Sequence, residues 1–109
     1  VRDFIHVSDL ADAHGRAVEY LLGGGESVAL NLGTGTGTTV QELLTAIATE
    51  AGKPFPIRRE GRREGDAPVL VADNAKAGSV LGWSPRHDLG SIVRTAWQWH
   101  ASTGLAAAE

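Results

Sequence analysis

The sequence predicts an α/β chain in which short strands alternate with about four helices. Three observations predict it. Apolar residues recur at helical spacing in long stretches. Short β-prone runs precede two of those stretches. Glycine, proline and small polar caps punctuate the boundaries.

In chain order, Asp3 to Val7 (DFIHV) reads as a short strand. Ser8 is the expected N-cap of the first helix, with Asp9 in the first turn, where the helix dipole favours an anion. Leu10, Ala13, Ala17, Val18, Leu21 and Leu22 form its apolar face, and Gly23-Gly24-Gly25 ends it. Val28 to Leu32 (VALNL) is a second strand. The glycine-rich GTGTGTT follows, then a helix with Val40, Leu43, Leu44, Ile47, Ala48 and Ala51 on one face. Thr39 and Glu42 have capping-box spacing, and Gly52 and Pro54 stop the helix.

Phe55 to Arg58 is a third short strand, and Val69 to Ala72 is a further extended segment. Asp73 is the expected cap of a short helix ending at Gly82. Trp83 and Pro85 mark a turn. Asp88 caps the last helix, whose face is Leu89, Ile92, Val93, Ala96, Trp97 and His100. Trp83, Trp97 and Trp99 are expected core anchors. The tail, residues 102–109, should fray.

One hundred and nine residues suit one small domain, with enough burial for a modest core. No apolar run approaches the ~20 residues of a membrane span, and no targeting segment stands out. The net charge of −3 gives no general attraction to polyanions. Cysteine is absent, so thiolate and disulfide chemistry are excluded, which fits a cytoplasmic protein. The chain has no methionine and starts at Val1, inside a motif. It is therefore expected to be a piece of a longer polypeptide.

Several motifs could carry chemistry. GTGTGTT lies between a strand and a helix, where a dinucleotide fingerprint would lie. That fingerprint needs G-x-G-x-x-G, but the glycines are Gly33, Gly35 and Gly37, and position 38 is threonine. The reading is a tight turn leading into a threonine-capped helix. Phosphate contact from backbone N–H groups is the alternative. The four histidines show no i, i+4 pair and have no cysteine partners, so no metal site is expected. His6 reads as a packed, hydrogen-bonded histidine.

Four of the eight arginines fall in RREGRREGD, Arg58 to Asp66. Four arginines against Glu60, Glu64 and Asp66 leave a local charge of +1. A nucleic-acid footprint depends on unopposed positive charge, so no nucleic-acid partner is expected. Two readings stay open on composition: a solvated loop with internal pairing, and a clamp for one phosphate group. In the clamp, Gly65 allows close backbone approach.

The carriers VRDFIHVSDLADAH, LNLGTGTGTTVQELL, RREGDAPVLVADNAKA and LGWSPRHDL followed by IVRTAWQWH span nearly the whole chain. In this order they resemble the C-terminal portion of the UDP-glucose 4-epimerases, extended short-chain dehydrogenase/reductases with a Rossmann-type fold. The resemblance implies an isomerase interconverting UDP-glucose and UDP-galactose through a 4-keto intermediate, with NAD as cofactor. It implies that residues 1–101 are the nucleotide-sugar-binding portion and that an upstream Rossmann domain holds NAD. It also implies a possible homodimer; no membrane partner is expected, since no apolar run is long enough to span a bilayer.

By the same resemblance, Arg2 and Arg63 contact the UDP diphosphate and Asp66 the ribose. Glu64 and Gly65 complete that loop, and Leu70 bounds the hexose pocket. The family's Y-x-x-x-K pair has no match here, because the only tyrosine is Tyr20 and Gly24 stands four residues on. The 109 residues alone are therefore expected to be inactive. A nucleotide-sugar dehydratase or decarboxylase and a non-catalytic binding module are the alternatives.

Overall fold

The computed structural model describes residues 1–102. Among them lie four helices: α1 (Val7–Leu22), α2 (Val40–Ala51), α3 (Ala75–Leu81) and α4 (Leu89–Ser102). Helix α1 packs against α3, and α2 against α4. No helix among the described residues is long and apolar enough to cross a membrane.

The caps explain where the helices start and stop. At α2, Thr39 Oγ1 accepts from Glu42 N–H at 3.0 Å and Glu42 Oε1 accepts from Thr39 N–H at 3.2 Å, the reciprocal capping box the sequence predicts. Gly52 closes α2 with φ of 75°, and Gly82 closes α3 with φ of 64°. Only glycine enters that left-handed region without steric cost. Asp88 Oδ1 accepts from Ser91 N–H at 2.8 Å and starts α4.

Two caps differ from expectation. The N-cap of α1 is His6, not Ser8, and His6 Nδ1 accepts from Ser8 N–H at 2.9 Å. A ring nitrogen thus fills the place usually taken by a hydroxyl. At α3 the N-cap is Asn74, while Asp73 Oδ1 accepts from Ala75 N–H at 3.1 Å from one residue earlier.

The predicted strands do not form among the described residues. Extended pairing is confined to two isolated bridges, Arg2 with Thr38 (antiparallel) and Arg2 with Leu70 (parallel). A strand needs successive ladder bonds. Near these bridges the amides of Thr34, Gly35 and Ala72 bond to the Asp3 carboxylate rather than to backbone carbonyls. The segments 28–32 and 55–58 have no strand neighbour.

The core is small. Ala13, Ala77 and Trp83 are buried, with Ile5, Leu30, Leu32 and Leu81 packed against them. Ala77 and Ala13 let α3 and α1 approach closely, and Trp83 fills the space beside them. Trp97 and Trp99 are not core anchors: they are 37% and 66% exposed. The outer part of the predicted α1 face is also open, with Val18, Leu21 and Leu22 more than half exposed. The radius of gyration, 17.0 Å, exceeds the roughly 13 Å of a compact domain this long. The accessible surface of 7901 Å² likewise exceeds the roughly 5,800 Å² of a compact monomer of this mass.

Candidate functional site

The two arginines singled out 61 residues apart in the sequence meet at one carboxylate. Arg2 Nη2 lies 3.5 Å from Asp66 Oδ1, and Arg63 Nε lies 3.4 Å from Asp66 Oδ2. Local folding brings them there. Arg2 is held by two backbone bonds to Thr38, at 2.9 and 2.7 Å. Its Nη1 also donates to the carbonyls of Val1 and Ala67, each at 2.9 Å. Arg63 reaches Asp66 across a turn in which Asp66 N–H bonds to Arg63 O at 3.3 Å and Gly65 has φ of 81°. A Cβ at Gly65 would meet nothing, so glycine is needed there for its backbone angle alone.

Arg63 is 85% exposed and Arg2 33% exposed, both measured on the side chain. Ion pairs this open to solvent contribute at most about 1 kcal/mol. A stronger anion could displace the Asp66 carboxylate at little cost. Leu70 is exposed and lines a groove of about 750 Å³ together with Arg2, Asp3, Phe4, Val71 and Asp73. Glu64 and Gly65 are exposed in the turn itself. The first RREG repeat is placed elsewhere: Arg58 pairs with Glu60 at 3.5 Å, and Arg59 donates to Gln41 on α2 at 2.8 Å.

Two carboxylates that the sequence did not single out for these partners organise the surroundings. Asp3 accepts from Thr34 N–H and Gly35 N–H at 2.9 Å each, from Ala72 N–H at 3.3 Å, and from the Thr34 hydroxyl. Burial pushes its pKa up, but these four hydrogen bonds outweigh burial and hold it below the ordinary carboxylate value. A depressed folded-state pKa contributes stability above the unfolded value, about 3.9. That contribution is lost as pH falls through the folded value. The acid limb of unfolding below about pH 4 should therefore flatten in Asp3→Asn, as followed by circular dichroism at stepped pH. An unchanged limb would contradict this.

The same geometry answers the question of the glycine loop. The amides of Thr34 and Gly35 are already satisfied by a carboxylate of the chain, so a dinucleotide phosphate does not fit there. The loop is a tight turn, with Gly35 at φ of 75°. Nor do the described residues include a group of three or more His, Cys, Asp or Glu able to hold a metal.

Asp9, buried at 4% exposure, accepts from the backbone N–H groups of Arg86 and His87 at 3.1 Å each. Its backbone carbonyl accepts from Trp83 Nε1 at 2.9 Å. His6 stacks on His87 with ring centroids 4.2 Å apart. Because His6 Nδ1 accepts from Ser8 N–H, Nε2 carries the hydrogen and donates to Thr95 Oγ1 at 2.8 Å. His6 is thus the packed, hydrogen-bonded residue expected.

No family model matches the chain. It is 67% identical over 103 residues to a UDP-glucose 4-epimerase of Rhizobium leguminosarum bv. trifolii, covering 94% of this chain and 32% of the relative. By sequence, nearly the whole chain is similar to about a third of a UDP-glucose 4-epimerase. A second epimerase, from Rhizobium meliloti, is 66% identical over 101 residues, covering 93% of this chain and 31% of that protein. The fold agrees. The crystal structure of the Stenotrophomonas maltophila epimerase, with bound NAD and formylated UDP-arabinopyranose, superposes with a TM-score of 0.88 at 42% identity. The match covers 95% of this chain and 31% of that one. The Bifidobacterium longum epimerase, in complex with NAD+ and UDP, gives 0.84 at 35% identity over 92% of this chain and 30% of that one. The chain therefore spans about a third of the length of the epimerases it matches.

Proposed function

We propose that this chain is the nucleotide-sugar-binding, C-terminal portion of a cytoplasmic UDP-glucose 4-epimerase, with residues 1–101 forming that portion. In this reading Arg2 and Arg63 grip the two phosphates of UDP from opposite sides. Asp66, released from its ion pairs, turns to the ribose hydroxyls. Glu64 and Gly65 shape the turn, and Leu70 bounds the hexose. The intact enzyme would interconvert UDP-glucose and UDP-galactose, and it could act as a homodimer.

One observation carries the reading. Two guanidinium groups 61 residues apart in sequence lie within 3.5 Å of one carboxylate, each at a different oxygen. A diphosphate offers the same bidentate oxygens with more charge, and arginine forks suit it. The groove that Leu70 and Arg2 share lies beside this pair and leaves room for a sugar.

NAD supplies the redox chemistry of such an epimerase. The described residues do not fit it, so in this reading an upstream Rossmann domain holds it. The same division accounts for the open apolar surface and the expanded dimensions of the chain.

In the full-length epimerase, Arg63→Ala should weaken UDP binding by about 1.5–3 kcal/mol, the worth of a charge-assisted hydrogen bond. Arg59→Ala should change it little, because Arg59 is engaged with Gln41. Isothermal titration with UDP separates the two. Equal losses would place the phosphate on the wrong repeat.

A further inference from the structure

We infer that Asp3 is a positioning residue for the anion site, a built-in anion around which the glycine loop and the residue 66–72 segment are assembled. The inference rests on the nucleotide-sugar reading above.

Asp3 follows Arg2 directly, and in extended backbone consecutive side chains point to opposite sides. The Arg2 side chain reaches Ala67 and Asp66, while that of Asp3 reaches Thr34, Gly35 and Ala72. The loop is shaped to this carboxylate. A Cβ on Gly33 would lie 2.6 Å from Asp3 Oδ2 and 2.6 Å from the Ala72 Cβ, so no larger residue fits. The Thr34 hydroxyl that donates to Asp3 also accepts from Thr36 N–H at 3.1 Å, which extends the constraint along the loop. Asn74 Nδ2 adds a bond to Gly33 O at 2.8 Å.

The consequence for the site is mechanical. The 66–72 segment carries Asp66 and Leu70. It is tied to the start of the chain by Arg2 Nη1 to Ala67 O, by Leu70 N–H to Val1 O at 3.0 Å, and by Ala72 N–H to Asp3. Asp3 holds the last of these ties and joins it to the glycine loop. That loop leads to Thr38, whose backbone holds Arg2. Asp3 therefore couples one of the ties on the 66–72 segment to the loop whose far end, Thr38, holds the Arg2 backbone. An amide at this position presents an NH2 group where a backbone N–H already donates. The array would loosen, and two guanidinium groups that must meet one diphosphate tolerate little displacement.

The test is titration of UDP, and of uridine in competition, against the full-length epimerase and its Asp3→Asn variant. The account expects UDP affinity to fall about tenfold and uridine affinity to fall clearly less, because the phosphates depend on the arginine pair while the ribose meets Asp66 alone. Equal losses for both ligands would mark Asp3 as merely structural, and no loss would free it of any role. Either result overturns the inference and leaves the nucleotide-sugar reading standing. Failure of the unmodified protein to bind UDP overturns both. Should Asp3→Asn not fold, Thr34→Val decides. It removes one of the four donors, and a UDP-to-uridine ratio equal to that of the unmodified protein refutes the proposal.

Discussion

Trp83→Ala is expected to destabilise the protein by about 3–5 kcal/mol, the usual cost of emptying a buried aromatic site. Trp83 is 2% exposed and is the largest fully buried side chain. It sits against Ala13 and Ala77, where neither neighbour can expand to fill a cavity. Its indole N–H also donates to Asp9 O, so the substitution removes a buried hydrogen bond as well as packing. Trp83→Phe should recover most of the packing and lose about 1 kcal/mol for the missing donor. The check is the urea midpoint of the full-length protein. An unchanged midpoint for Trp83→Ala would contradict the buried site described above.

Asp9→Ala is expected to cost about 2–4 kcal/mol in the same assay. The carboxylate satisfies two backbone N–H groups at the turn before α4. Each unsatisfied buried donor costs on the order of 1–3 kcal/mol, and some access for water lowers the sum. The loss includes a favourable charge in the first turn of α1, worth about 0.3–1 kcal/mol. Asp9→Asn keeps one acceptor and should lose about half as much. Because Asp9 ties α1 to the Arg86–His87 turn, its loss should also disturb the His6–His87 stack, visible in the histidine ring resonances.

What the sequence could and could not say follows from the range of the interactions. Helix boundaries were legible because their signals are local. Thr39 and Glu42 lie three residues apart, and Gly52 and Gly82 stand directly after the helices they end. The cap of α1 was misread because a histidine ring nitrogen took the role usually played by the adjacent serine. The strands were misread because alternation marks a segment that can pair and does not name its partner. Here the Asp3 carboxylate takes the amide of Ala72, and residues 28–32 and 55–58 have no strand partner among the described residues.

Trp97 carries the same periodic signal as any core residue, and Trp99 was an expected anchor as a tryptophan alone. Whether their face is covered depends on polypeptide beyond α4's own neighbours, and the chain spans only about a third of its relatives. At the candidate site, the residues Arg2, Arg63 and Asp66 came from the family resemblance, and their convergence is a property of the fold. Asp3 and Asp9 gave one weak signal, a carboxylate at each edge of an apolar run. Their partners lie 31 to 78 residues away, beyond any local pattern.

The most direct measurement is a double-mutant cycle on Arg2 and Arg63 in the full-length protein, titrating UDP and then uridine. The account predicts that Arg2→Ala and Arg63→Ala each weaken UDP binding by about 1.5–3 kcal/mol. It predicts a coupling between them of at least about 0.5 kcal/mol, and uridine binding that is unchanged. Strict additivity together with an equal loss of uridine affinity would mean that the two side chains do not share one diphosphate, and would contradict it.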